Sequence, residues 1–121
     1  MALMELRYYS EILEESSVIQ IAFPKKFSEI EKFPLLCVAA PPGKNHSFWL
    51  RKVPLEEMAE QQKVMIAIPD MKMSSEVKAD QYKKICRRML EKELPQLLEG
   101  YFPVYLDLKK MLELQKELET L

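Results

Sequence analysis

The chain has 121 residues, 48% hydrophobic and 31% charged, with a net charge of −1. That suits one domain or two very small ones around a modest core, without room for a large active-site cavity. The near balance of charge gives no global pull toward nucleic acid or acidic lipid.

Residues 2–15 read as a helix, with Leu6, Tyr9 and Leu13 on one stripe and Leu3 and Ile12 beside it. Ser17–Phe23 reads as a strand that alternates Ile19, Ile21 and Phe23 against Val18, Gln20 and Ala22. Pro24 stops it. Phe27, Ile30 and Phe33 suggest a helical turn, and Leu35–Ala40 is a continuous apolar run expected to be a buried strand. Pro41 to Asn45 forms a turn. Ser47–Val53 is expected to return as a hairpin partner, with Trp49 either anchoring the hairpin core or exposed as a contact.

Pro54 suits the start of a helix over Leu55–Gln62, where Glu56 and Glu57 favour the first turn. Val64–Ile68 is a strand candidate closed by Pro69. Beyond Pro69 no strand-like run is visible. Ser74 or Ser75 can cap a helix, with Glu76 in its first turn. Tyr82, Ile85, Cys86, Met89 and Leu90 follow the helical pattern of that segment. Pro95 ends or kinks this helix, and Gly100 and Pro103 mark a second break. From Val104 to the end the chain is expected to be helical. The reading is therefore α+β: a small, β-rich mixed domain over residues 1–69, then a helical assembly region over 70–121.

Functional chemistry is sparse. There is one histidine, His46, two cysteines, Cys37 and Cys86, and two glycines, Gly43 and Gly100. These are too few for a zinc site or a glycine-rich phosphate loop. A nucleophilic triad would have to use His46 in a turn-like stretch. No catalytic residue, metal or cofactor is expected, and the protein reads as a non-enzyme. Both cysteines read as small buried apolar residues, consistent with a reducing compartment. No apolar run approaches the roughly 20 residues of a membrane span. The N-terminus has no signal-peptide pattern. An intracellular location is expected, cytoplasmic, or nuclear in a eukaryote, with no membrane partner.

Two surfaces stand out. Lys83, Lys84, Arg87 and Arg88 make a basic helix face, a candidate for nucleic-acid contact or simply a solvated face with spaced ion pairs. Tyr82, Ile85 and Met89, with Leu108, Met111, Leu114, Leu118 and Leu121, form apolar stripes that are candidate subunit-interface residues.

Residues 53–69 (VPLEEMAEQQKVMIAIP) and 12–30 (ILEESSVIQIAFPKKFSEI) resemble stretches of archaeal-type GINS replication-complex subunits that carry their β-rich domain first. The helix over 75–94, the Leu94-Pro95 break and the helix over 104–121 are similar to that family's helical domain. The resemblance implies a non-enzymatic subunit of a hetero-oligomeric replication complex. Its helical halves would pack on other GINS-like subunits, and the complex would meet an MCM-type helicase and a RecJ/Cdc45-like protein. The alternative is a small nucleic-acid-binding module using the basic helix face.

Overall fold

A computed structural model describes residues 2–24, 32–41, 47–71 and 79–120. The elements run β1 (Ala2–Ser10), β2 (Glu15–Phe23), β3 (Phe33–Cys37), α1 (Phe48–Lys52), α2 (Leu55–Gln62), β4 (Met65–Pro69), α3 (Ala79–Arg88), α4 (Leu94–Glu99), β5 (Val104–Leu106) and α5 (Leu108–Glu119). A π-helical turn, Met89–Glu93, joins α3 to α4.

The five strands form one sheet in the order β1-β2-β4-β3-β5. β1 and β2 are an antiparallel hairpin from Ala2↔Phe23 to Ser10↔Glu15. β2 also runs antiparallel to β4, while β3 is parallel to both β4 and β5. Parallel neighbours need long crossovers. Here α1 and α2 carry the chain from β3 to β4, and the segment containing α3 and α4 carries it from β4 to β5. The chain is thus a mixed α and β protein with a β-rich N-terminal region and helices after it.

Burial follows position in the sheet. Every residue of β4 is buried, as are Ser17–Ala22 of β2, so the central strands are covered on both faces. β1 lies at the edge and alternates half-buried with exposed. Met4, Leu6 and Tyr8 pack toward the core while Leu3 and Tyr9 are exposed. Ile19, Ile21, Leu35, Met65, Leu94 and Leu98 are fully buried. Each such side chain contributes on the order of 1.5–3 kcal/mol from apolar burial.

The expected helix over 2–15 is a strand followed by a turn. Leu6, Tyr9 and Leu13 satisfied a helical spacing, but Met4, Leu6 and Tyr8 satisfy a period of two, and pairing with β2 decides between them. Residues 11–14 make the turn, closing with Glu14 in the left-handed region at φ 56°.

The expected hairpin strand at 47–53 is instead the short helix α1. The expectation of helix from Val104 onward also fails at its start. Val104–Leu106 form β5, whose pairing with β3 supplies partners that the three-residue sequence VYL does not reveal. α5 then begins at Leu108, with Asp107 capping it by accepting from the Lys110 N–H at 3.1 Å. The strands near 17–23, 35–40 and 64–68 and the helix at 55–62 are present. The helical turn expected from Phe27 and the Ser74/Ser75 cap lie outside the described residues, as does most of the turn after Pro41.

Pro95 does not end the helical segment. A proline inside a helix offers no N–H and its ring crowds the preceding turn. The backbone widens just before it, and the Leu94 N–H bonds to Met89 O, five residues back. The segment passes through the proline into α4. The widened turn carries Glu93 to the β1–β2 hairpin. Its carboxylate accepts from Tyr8 Oη at 3.1 Å, Ser10 Oγ at 2.6 Å and the Ile12 N–H at 3.1 Å. Ser10 Oγ in turn accepts from the Leu13 N–H at 3.1 Å. One carboxylate therefore ties the first hairpin to the helical layer.

Candidate functional site

Past Cys37 the chain stays extended. The Val38 N–H reaches Ala67 O at 3.0 Å, which continues the β3–β4 ladder. The next two residues are held by side chains from three helices. Trp49 of α1 donates its Nε1–H to Ala39 O at 3.0 Å. Gln115 of α5 accepts from the Ala39 N–H through Oε1 at 2.9 Å and donates Nε2 to Ala39 O at 3.3 Å. Tyr82 of α3 donates its hydroxyl to Ala40 O at 2.8 Å.

Contacts between β3 and the following chain advance in step. Phe33 pairs with Val104, the Asp107 N–H reaches Leu35 O at 3.3 Å, and Gln115 meets Ala39. α5 therefore runs beside β3 in the strand's own direction. Gln115 presents an amide to a backbone amide, completing with one side chain the pairing that β5 leaves unfinished. Pro41 has no N–H to offer. The buried Ala40 N–H has no partner among the described residues. A buried backbone donor without a partner is rare.

These elements enclose a cavity of about 430 Å³ at the C-terminal end of β3. Its floor is Ala39, Ala40, Pro41 and Trp49. Tyr82, Lys83, Cys86, Arg87 and Leu90 of α3 form one wall, and Gln115 and Glu119 of α5 the other. A smaller cavity of about 160 Å³ shares Arg87, Leu90 and Gln115 with it and reaches Cys37. The volume lies within the range of small-molecule pockets, and such sites favour the carboxyl ends of parallel strands. The Phe48 ring meets Trp49 edge-on with centroids 4.8 Å apart, and Lys52 Nζ sits 4.9 Å from the Phe48 centroid.

Burial pushes the thiols of Cys37 and Cys86 above the ordinary thiol value, which makes them poor nucleophiles. Burial also raises the phenols of Tyr82 and Tyr8, the latter further through the charge of Glu93. A raised acid keeps its proton in the fold and loses it on unfolding once the pH passes the ordinary value. The contribution to stability is thus complete below pH 9.0 and declines from there upward, with the phenols adding to the loss above 10.0. At pH 8 Cys37, which is fully buried, should react with Ellman's reagent only at the opening rate of the fold, and both thiols should react at once in urea. Rapid modification of Cys37 in the native protein would contradict the burial described.

The sequence-derived residues distribute as follows. Met89, Met111, Leu114 and Leu118 are buried in the chain's own core, while Tyr82 and Ile85 pack partly against it. Leu108 is 44% exposed, and Leu121 lies outside the described residues. The basic face divides: Lys83 and Arg87 line the cavity, whereas Lys84 and Arg88 are exposed without doing so. Sequence reasoning missed the role of Gln115 and of residues 39–40, whose partners are 76 and 42 positions away. No group of metal-ligating side chains occurs among the described residues, and none of their helices is long and apolar enough to cross a membrane. His46 lies outside the described residues.

No family model matches the chain, and no curated protein matches its sequence. Solved structures do match. The S-formylglutathione hydrolase FrmB of Staphylococcus aureus superposes with a TM-score of 0.59 at 15% identity, over 85% of this chain and 42% of its own. A CE1 ferulic acid esterase from Anaeromyces mucronatus, solved with ferulic acid, gives 0.67 at 14% identity over 85% and 44%. An S-formylglutathione hydrolase from Agrobacterium tumefaciens gives 0.64 at 15% identity over 83% and 44%.

These neighbours overturn the resemblance to GINS subunits. With it go the replication-complex function, the GINS-like, helicase and RecJ/Cdc45-like partners, the nucleic-acid-module alternative and the non-enzyme reading. Proline and apolar spacing over short stretches is shared by unrelated folds, whereas these superpositions extend over 83–85% of the chain. The chain spans less than half the length of these proteins, and over that span its fold is similar to theirs.

Proposed function

We propose that the chain serves ester hydrolysis, as the part of a serine-hydrolase fold that builds the sheet and one wall of the substrate site. The observation that carries this reading is the superposition of 85% of the chain on an esterase at a TM-score of 0.67.

The division of labour follows from the residues. In this chemistry a serine sits on a strained strand-to-helix turn, and an oxyanion donor comes from the loop after β3. Here the strand-to-helix turn after β5 holds Asp107 at φ −107°, an unstrained helix cap rather than a nucleophile. The described serines are otherwise engaged: Ser10 donates to Glu93, Ser17 donates to Asp70 O at 2.8 Å, and Ser16 and Ser47 also have interactions. The loop after β3 suits its part better. The Ala40 N–H, without a partner among the described residues, lies beside the cavity and is held in place by Tyr82 and by the clamp on Ala39. In this reading the nucleophile and its base lie outside the described residues.

A fluorophosphonate reagent, which labels activated serines, tests the reading in the native source. Antibody raised to the recombinant chain should precipitate a fluorophosphonate-labelled product, on the same polypeptide or on one bound to it. Precipitation of the chain with no labelled serine protein would overturn the proposal.

A further inference from the structure

The cavity has an apolar floor and an unbalanced rim. Lys83 and Arg87 lie one helical turn apart on α3, line the cavity together, and form no ion pair within the described residues. The opposite rim carries one carboxylate, Glu119, whose Oε1 already accepts from Gln115 Nε2 at 3.1 Å. Among the described residues, two cations without an ion pair against one engaged anion leave a net positive mouth over Trp49, Ala39 and Leu90. Surface cations this close to apolar lining favour an anion that brings its own apolar body.

We infer that this cavity binds a monocarboxylate with an apolar tail, the tail on Trp49 and Leu90 and the carboxylate between Lys83 and Arg87. The inference rests on the ester-hydrolase reading for its biological sense: such an acid is what hydrolysis of an apolar ester releases. Charge complementarity selects the ligand against a neutral one of the same shape, and the cavity's volume of about 430 Å³ accommodates a medium-length chain.

Trp49 is the only tryptophan in the chain, so its fluorescence reports on the cavity directly. The recombinant 121-residue chain is titrated with octanoate and, separately, with octanamide, its neutral isostere. Octanoate should give a saturable change in Trp49 emission, with octanamide roughly tenfold weaker, the ratio expected for loss of one charge-assisted contact. Lys83→Gln with Arg87→Gln should bring octanoate down to the octanamide value while circular dichroism stays unchanged. Glu119→Gln should tighten octanoate alone. Equal binding of the two ligands, indifference to the double substitution, or no Trp49 response would each overturn the inference. The titration involves no hydrolysis, so its failure is separate from a failure of fluorophosphonate labelling.

Discussion

Trp49→Ala should destabilise the fold by roughly 3–5 kcal/mol, the range for removing a large buried aromatic side chain. The residue is 3% exposed and does two things at once. Its ring fills the floor of the cavity, and its Nε1–H holds Ala39 O at 3.0 Å. Alanine removes both and enlarges a space that the surrounding backbone cannot collapse into, because Gln115 and Tyr82 still grip the same loop. Trp49→Phe should cost less, since Gln115 Nε2 continues to donate to Ala39 O. Urea unfolding followed by circular dichroism measures both. A midpoint for Trp49→Ala within error of the wild type would contradict the packing described.

Glu93→Ala should cost roughly 2–4 kcal/mol, because hydrogen bonds to a charged group are worth more than neutral ones and buried donors left alone are penalised. Three donors converge on this carboxylate, and Ser10 among them is fully buried. Glu93→Gln keeps an acceptor oxygen but loses the charge, and should fall between wild type and alanine. The effect should be non-additive with Ser10→Ala, since the two substitutions remove the same bond. In hydrogen exchange, the β1–β2 hairpin should lose protection first, as the segment this residue fastens. Additive energies would show that the Ser10 contact contributes nothing.

The sequence carried the central strands clearly, because strands covered on both faces are long apolar runs: Leu35–Ala40 and Val64–Ile68 are unambiguous. Edge elements were harder. β1 holds apolar residues at both helical and strand spacing, and only its register against β2 selects one. Ser47–Val53 is expected as a hairpin strand yet folds as α1, where Trp49 turns inward to Ala39 O. β5 has three residues, too few for any periodicity.

The site was less legible still. The sequence marks Trp49 as an anchor without its partner, and Tyr82, Lys83, Cys86 and Arg87 as helix faces without a cavity. What joins them is backbone: the amides of Ala39 and Ala40 take their partners from Trp49, Gln115 and Tyr82, far along the chain. Alanine has no side-chain signature for such a role. The residue types of the chain also spoke against an enzyme, because the catalytic chemistry of the matched fold depends on a few residues that the described segments do not bring together.

The way α5 lies along β3 has a consequence for solubility. A parallel strand whose edge is open invites a strand from another molecule to zip onto it. β5 shields that edge only up to Leu35, and beyond it the helix takes over, with the Gln115 amide occupying both hydrogen-bonding positions of Ala39. A helix cannot pass the ladder on to a further strand, so it acts as a gatekeeper where a short strand would act as a template. Anything that loosens α5 therefore exposes a sticky edge at the same time as it opens the cavity.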